Sequence, residues 1–177
     1  MNLDNLSFRL AQSQDIPRVV SLVNSAYRGE SGQQGWTTEA DLLDGQRTDA
    51  EEIARLLDAR NSMILLAEVG DELLASVHLE EYEEGAYLGM LAVRPDLQGR
   101  GIGKCLMAAA EQRAAAEWQA GKMLMTVIHL RHELIAFYQR CGYARTGRVK
   151  PFPTSEKFGI QKVPGLLLEY LEKPLGK

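Results

Sequence analysis

Apolar and polar positions change period several times along the chain, and those changes mark its elements. Phe8 to Ala11 reads as a short strand. Ile16, Val19, Val20 and Val23 then share one helical face, with Asp15 placed to cap the helix and Pro17 in its first turn, where no intrahelical N–H is needed. From Arg28 to Thr38 the periodicity stops, and three glycines with Trp36 predict a surface loop carrying an aromatic flap. Two short acidic helices are expected next, Glu39 to Leu43 and Thr48 to Ala59, the second with Thr48 as N-cap and Glu51 completing a capping box.

Strand patterns follow at Met63 to Val69, Leu73 to Tyr82 and Tyr87 to Val93, joined by Gly70-Asp71 and by Glu83-Glu84-Gly85. Connections this tight make an antiparallel meander. The pattern then turns helical from Gly101 to about Trp118, with Ile102, Leu106, Ala109 and Ala110 on one side and Gly121 as the stop. A strand from Met123 to Ile128, a helix from Glu133 to Arg140 ending at Gly142, and a strand from Tyr143 come next. A Pro- and Gly-rich loop at 150–165 precedes a last strand, Leu166 to Leu171. Alternating strand and helix require at least one parallel pairing with helices packed on the sheet, so the fold class is α/β (α+β). No repeat or low-complexity linker divides the 177 residues, a length that suits one full core.

Composition narrows the function. Two cysteines 36 residues apart cannot build a disulfide framework, and no Cys/His group has zinc spacing, so no metal and a reducing, cytoplasmic setting are expected. The N-terminus lacks the apolar run of a signal peptide and no stretch approaches the ~18 apolar residues of a membrane span, which argues against a membrane partner. A net charge of −4 argues against a nucleic-acid partner. That average conceals an asymmetry: Arg94 to Lys150 holds ten basic and four acidic residues, a block of +6 within a remainder of −10. One third of the chain is set up to meet something negative.

Within the block, L-A-V-R-P-D-L-Q-G-R-G-I-G-K-C-L-M (91–107) runs strand, turn, helix start. Free amides at a helix N-terminus, approached closely because of glycines, suit a phosphate, and Arg100 and Lys104 add charge. A Walker A loop fails at Gln98 and Cys105, and a dinucleotide fingerprint lacks its third glycine at Lys104 or Leu106. The pattern that fits is Gln/Arg-x-x-Gly-x-Gly/Ala, met by Gln98, Gly101 and Gly103. With the preceding L-G-M-L-A-V-R-P, the later F-Y-Q-R-C-G-Y (Phe137 to Tyr143) and the opening F-R-L-A-x-x-x-D, the chain resembles the GCN5-related N-acetyltransferases (GNAT) over nearly all of residues 6–172.

The resemblance implies a single domain at 6–174, with a mixed sheet of six to seven strands flanked by about four helices. It implies acetyl-CoA as cosubstrate and a primary amine as acceptor, a small molecule ahead of a protein; members are often homodimers. The backbone of Leu91, Ala92 and Val93 would pair with the pantetheine arm, while Gln98, Gly99, Arg100, Gly101, Ile102, Gly103 and Lys104 cradle the pyrophosphate. Arg131 and Arg140 join Arg100 and Lys104 as candidates for the 3′-phosphate. Tyr138 stands where the family places its general acid, beside the cofactor.

Two positions depart from the pattern: Gly89 replaces a common glutamate base, and Arg131 a common asparagine. Glu80, Glu81 and Glu83, at the end of the preceding strand, are the candidates to supply the base instead, and strand alternation turns only one of Glu80 and Glu81 inward. Cys105, in a first helical turn, is a candidate nucleophile for a double-displacement alternative; His78, His129 and His132 have no triad-like company, though His129, at a strand end, is a candidate proton relay. Glu30, Glu39 and Asp41 near Trp36 favour a cationic acceptor, with a peptide N-terminus or lysine as rival. A non-catalytic acyl-CoA sensor is the alternative that Gly89 keeps open.

Overall fold

The computed structural model describes residues 5–28, 36–155, 157 and 159–176. In chain order the elements are β1 (Ser7–Leu10), α1 (Ile16–Tyr27), β2 (Leu43–Asp44), α2 (Ala50–Asp58), β3 (Ser62–Val69), β4 (Glu72–Tyr82), β5 (Gly85–Val93), α3 (Ile102–Trp118), β6 (Lys122–Ile128), α4 (His132–Arg140), β7 (Ala144–Pro151), β8 (Ile160–Gln161) and β9 (Leu167–Pro174). Seven strands form one mixed sheet in the order β1-β3-β4-β5-β6-β9-β7, while β2 and β8 make a separate two-stranded ribbon. The β3–β4–β5 meander is antiparallel, and β5 pairs with β6 in parallel across the α3 crossover.

Strand alternation divides the core between the two faces of the sheet. Leu65, Val77, Leu79 and Leu88 pack with Ile102, Leu106 and Ala110 of α3, and Ile64, Leu66 and Ala92 pack with Val19, Val23 and Ile53 of α1 and α2. These side chains are almost fully buried, at about 1.5–3 kcal/mol for each large one.

Where local structure departs from the sequence pattern, a specific contact decides. Glu39 to Leu43 is a single turn, closed by the Leu43 amide on the Glu39 carbonyl at 2.9 Å, and Leu43–Asp44 then pairs with Ile160–Gln161. Five residues hold too few i→i−4 bonds to sustain a helix, and the ribbon buries Leu43. Asp49, one residue beyond Thr48, caps α2 by accepting from the Glu52 amide at 2.7 Å. α3 stops at Gln119 in left-handed conformation (φ 51°), before Gly121. Of the loop expected at Arg28 to Thr38, residues 29–35 lie outside the described residues.

Asp15 does not cap α1. Its carboxylate accepts from the Gln12 amide (2.9 Å) and from both Nη atoms of Arg9 (2.7 and 2.8 Å), and Arg18 and Glu68 complete the cluster. The Arg9 hydrogen bonds hold its carboxyl down to about 2, from an ordinary 3.8. A depressed carboxylate contributes stability that is present above the ordinary value and lost as pH falls through the folded one. Thermal unfolding between pH 5 and pH 2 is expected to show a steep fall in Tm for the wild type and a shallower one for Asp15→Asn; equal slopes would remove Asp15 from the acid response.

The feature that positions the site is a fork in the sheet. β5 and β6 pair only at Ala86↔Met123 and Tyr87↔Leu124 and then run apart. Tyr87 and Thr126 tie the crotch through a 2.7 Å hydroxyl–hydroxyl bond. On its other side β5 carries a bulge against Ser76–His78, where Met90 takes φ 48°. From Leu88 to Val93 the β6-facing edge of β5 therefore has no strand partner, leaving backbone donors and acceptors for something else.

Candidate active site

The glycine-rich turn lies at one mouth of this fork. Gly99 (φ 78°) and Gly101 (φ 87°) adopt a left-handed backbone that disfavours a side chain, and a Cβ on either would meet nothing within 4 Å, so the turn is open on its outer side. Among the described residues, none of the amides from Gly99 to Lys104 finds a backbone acceptor; the first helical bond is Cys105 N–H to the Gly101 carbonyl. Six consecutive free donors at the N-terminus of a 17-residue helix make a cradle for a polyanion. Gly103 packs close to β5, its hypothetical Cβ 3.3 Å from Val93, which fixes the helix start against the strand edge.

A cleft of about 380 Å³ runs from this turn into the fork between β5 and α4. Of the residues expected to hold the cofactor, all but Ala92 and Arg100 line it. Ala92 is buried against α1 and α2, and the Arg100 side chain is exposed at the turn. Trp36 forms one wall: its amide donates to Gln98 Oε1 at 3.1 Å and its ring lies 5.8 Å from that of Phe137. The expected aromatic flap is thus tied to both the glycine turn and α4.

A second cleft, of about 320 Å³, opens on the α2 side of the fork. Tyr27, Arg131, Leu134 and Tyr138 line both clefts and stand where they meet. The Tyr138 hydroxyl has no hydrogen-bond partner among the described residues, and burial pushes it well above an ordinary phenol. Tyr27 donates to the Leu91 carbonyl at 2.9 Å, and burial pushes its phenol up to about 12. Both phenols stay protonated throughout the neutral range.

Comparison with known proteins agrees with this geometry. The Acetyltransferase (GNAT) family model matches residues 21–143. The chain belongs to the GNAT acetyltransferase family. No curated protein matches the chain. Among solved structures, the ribosomal-protein-alanine N-acetyltransferase of Escherichia coli superposes with TM-score 0.70 at 14% identity, covering 97% of this chain and 95% of that one. The yncA protein of Salmonella typhimurium, solved with its cofactor acetyl-CoA, gives 0.71 at 16%, covering 98% and 96%. A chimera of the Vibrio cholerae spermidine N-acetyltransferase SpeG and hSSAT gives 0.69 at 13%, covering 97% and 96%. At these identities the likeness is one of fold.

As a GNAT acetyltransferase the chain uses acetyl-CoA as cosubstrate, and the open cradle of amides fits its diphosphate. The other sequence candidates separate. Glu80 and Glu81 point to opposite faces of β4: Glu80 lines the second cleft, and Glu81 lines a depression beside Trp118 and Gly121 together with Glu83. Gly89 forms floor in the second cleft, its hypothetical Cβ 3.8 Å from His78 Nδ1 and 3.1 Å from Tyr87 Cε1. His78 shares a hydrogen bond with Ser62 Oγ (2.9 Å), and burial lowers it to about 4, so it is neutral at pH 7. His129 Nδ1 is held by the Leu167 amide at 3.1 Å, and His129 and Cys105 line neither cleft. Arg140 and Lys104 line the first cleft and are exposed.

Arg131 is not a surface phosphate contact. It is buried and donates to Glu39 Oε1 (3.0 Å) and Thr37 Oγ1 (2.7 Å), while Glu39 Oε2 accepts from Arg28 at 2.5 Å. This triad anchors the start of the Trp36 wall to the N-cap of α4. Sequence reasoning missed it, together with Tyr27 and Arg47; one signal was available, since Arg131 precedes a helix where a neutral side chain is common.

Proposed function

We propose that the chain transfers acetyl directly from acetyl-CoA to a primary amine of a small molecule, with Tyr138 as the general acid. The observation that carries this reading is the placement of Tyr138 where a cleft lined by the amide cradle meets a second, separately lined cleft. Acetyl-CoA supplies the acetyl thioester. The amides of Gly99 to Lys104 bind the diphosphate, the unpaired edge of Leu91 to Val93 offers the pantetheine arm backbone partners, and Tyr27 orients the Leu91 carbonyl. Tyr138 holds a proton at the junction for the departing thiolate. Glu80, the carboxylate that faces the second cleft without a hydrogen-bonded partner among the described residues, accepts the acceptor's proton directly or through water. Glu81, on the other face, takes no part.

The test is thiol release from acetyl-CoA across a panel of small primary amines and lysine peptides, with acetylated product identified by mass. Turnover on small amines supports the reading. Tight acetyl-CoA binding with no turnover on any acceptor supports the sensor reading, which Glu80 on the Gly89 face makes the weaker of the two.

A further inference from the structure

The second cleft has a charge balance that the sequence total conceals. Two of its carboxylates are already neutralised: Glu39 lies between Arg28 and Arg131, and Glu52 is gripped by Arg55 at 3.0 and 2.7 Å. Of the remaining charges on its walls, Glu80 is negative, while Arg47 and Lys150 are positive. The Arg47 guanidinium lies 5.5 Å from the Tyr27 ring centroid and the Lys150 ammonium 5.2 Å from that of Tyr170. Neither forms an ion pair with a described residue. His78 lies on the same wall and is neutral, so it adds no charge to oppose them.

We infer that the acceptor is an amine that also carries an anionic group, a carboxylate or similar oxyanion, bound by Arg47 with Lys150 alongside while the amine faces Glu80. This rests on the transferase reading. A half-buried guanidinium without a carboxylate partner among the described residues is a site for a charge-assisted, two-point hydrogen bond, which its planar fork matches to a carboxylate. The same cation repels a second ammonium, so a diamine or polyamine is disfavoured at that wall. Of the acidic residues that favoured a cationic acceptor from sequence, the two described ones do not reach the cleft as free charge. Glu39 is inside the buried triad, Asp41 is not among the lining residues, and Glu30 lies outside the described residues.

The experiment compares matched triplets: alanine, leucine and phenylalanine, each with its α-carboxamide and its α-decarboxylated amine, plus spermidine, all assayed by thiol release. The carboxamides have less basic amines, so without anion recognition they would react faster than the acids at neutral pH. The expected result is kcat/KM at least about 10-fold higher for the acid than for the amide in the best triplet, one well-formed charge-assisted contact. Arg47→Gln is expected to bring that ratio to one or below and Arg47→Lys to retain part of it; acetyl-CoA Kd measured on each variant reports folding. Amides, decarboxylated amines or spermidine matching the acids, or an acid preference that survives Arg47→Gln, overturns the inference and leaves the transferase standing. Acetyl-CoA binding without turnover on any amine overturns both.

Discussion

Tyr138→Phe is expected to lower kcat by about 100-fold or more while acetyl-CoA Kd stays within about threefold. The substitution removes one oxygen and keeps the ring, which packs between Phe137 and Tyr143 at centroid distances of 5.4 and 6.1 Å, so the fold and the cofactor cleft are retained. What is lost is the proton at the junction of the two clefts. Burial raises the phenol well above its solution value, which at first sight makes it too weak an acid for a thiolate. The same water exclusion destabilises the thiolate, so the two affinities for the proton rise together and the transfer stays close to balanced. Because the phenol remains protonated far above neutrality, kcat should show no acidic or neutral limb from Tyr138; any rise with pH belongs to the acceptor amine and its base. Rapid-mix thiol release with a saturating amine reads the chemical step. An unchanged kcat would remove Tyr138 from proton transfer and leave it a packing residue.

The glycine turn and its cleft were more legible in the sequence than the second cleft, for a physical reason. The cradle is built from backbone amides at one strand-turn-helix junction, so its whole grammar lies in a short stretch around Gln98, Gly101 and Gly103, and the structure forms it there. The second cleft is lined by side chains of α1, the Arg47 loop, β4, β5 and α4, among others, and their charges acquire meaning only through their partners. Glu39 reads as an acidic surface residue in sequence and proves to be buried between two arginines. Asp15 reads as a helix cap and proves to be the centre of an ionic cluster. The five-residue helix at Glu39 gave way to a ribbon whose partner, Ile160–Gln161, lies far along the chain, a pairing that local propensity cannot foresee. The alternation argument, which depends only on the parity of β4, correctly turned one of Glu80 and Glu81 toward the cleft.

Glu39→Leu is expected to be the most destabilising single change among the residues around the site, by about 3–5 kcal/mol, because it takes from the buried Arg131 guanidinium the carboxylate it pairs with among the described residues. Arg131 would retain Thr37 Oγ1 as its remaining polar partner, with its Nε already lacking one. For a chain of this length about 2–4 °C of Tm accompany each kcal/mol, so a fall of roughly 10 °C is the readout. Removing Arg131 together with Glu39 takes away that uncompensated charge, while Arg28 still loses Glu39, so the double variant Glu39→Leu/Arg131→Leu should recover part, not all, of the loss relative to Glu39→Leu alone. A merely structural loss would stop there. Because Arg131 and Thr37 hold the Trp36 wall of the cofactor cleft, both variants should also bind acetyl-CoA more weakly at temperatures where they remain folded, and the recovered stability of the double variant should not restore that affinity. A Tm for Glu39→Leu within 2–3 °C of wild type, about the effect of a single kcal/mol, would show that the triad is solvated in solution and does not anchor the wall.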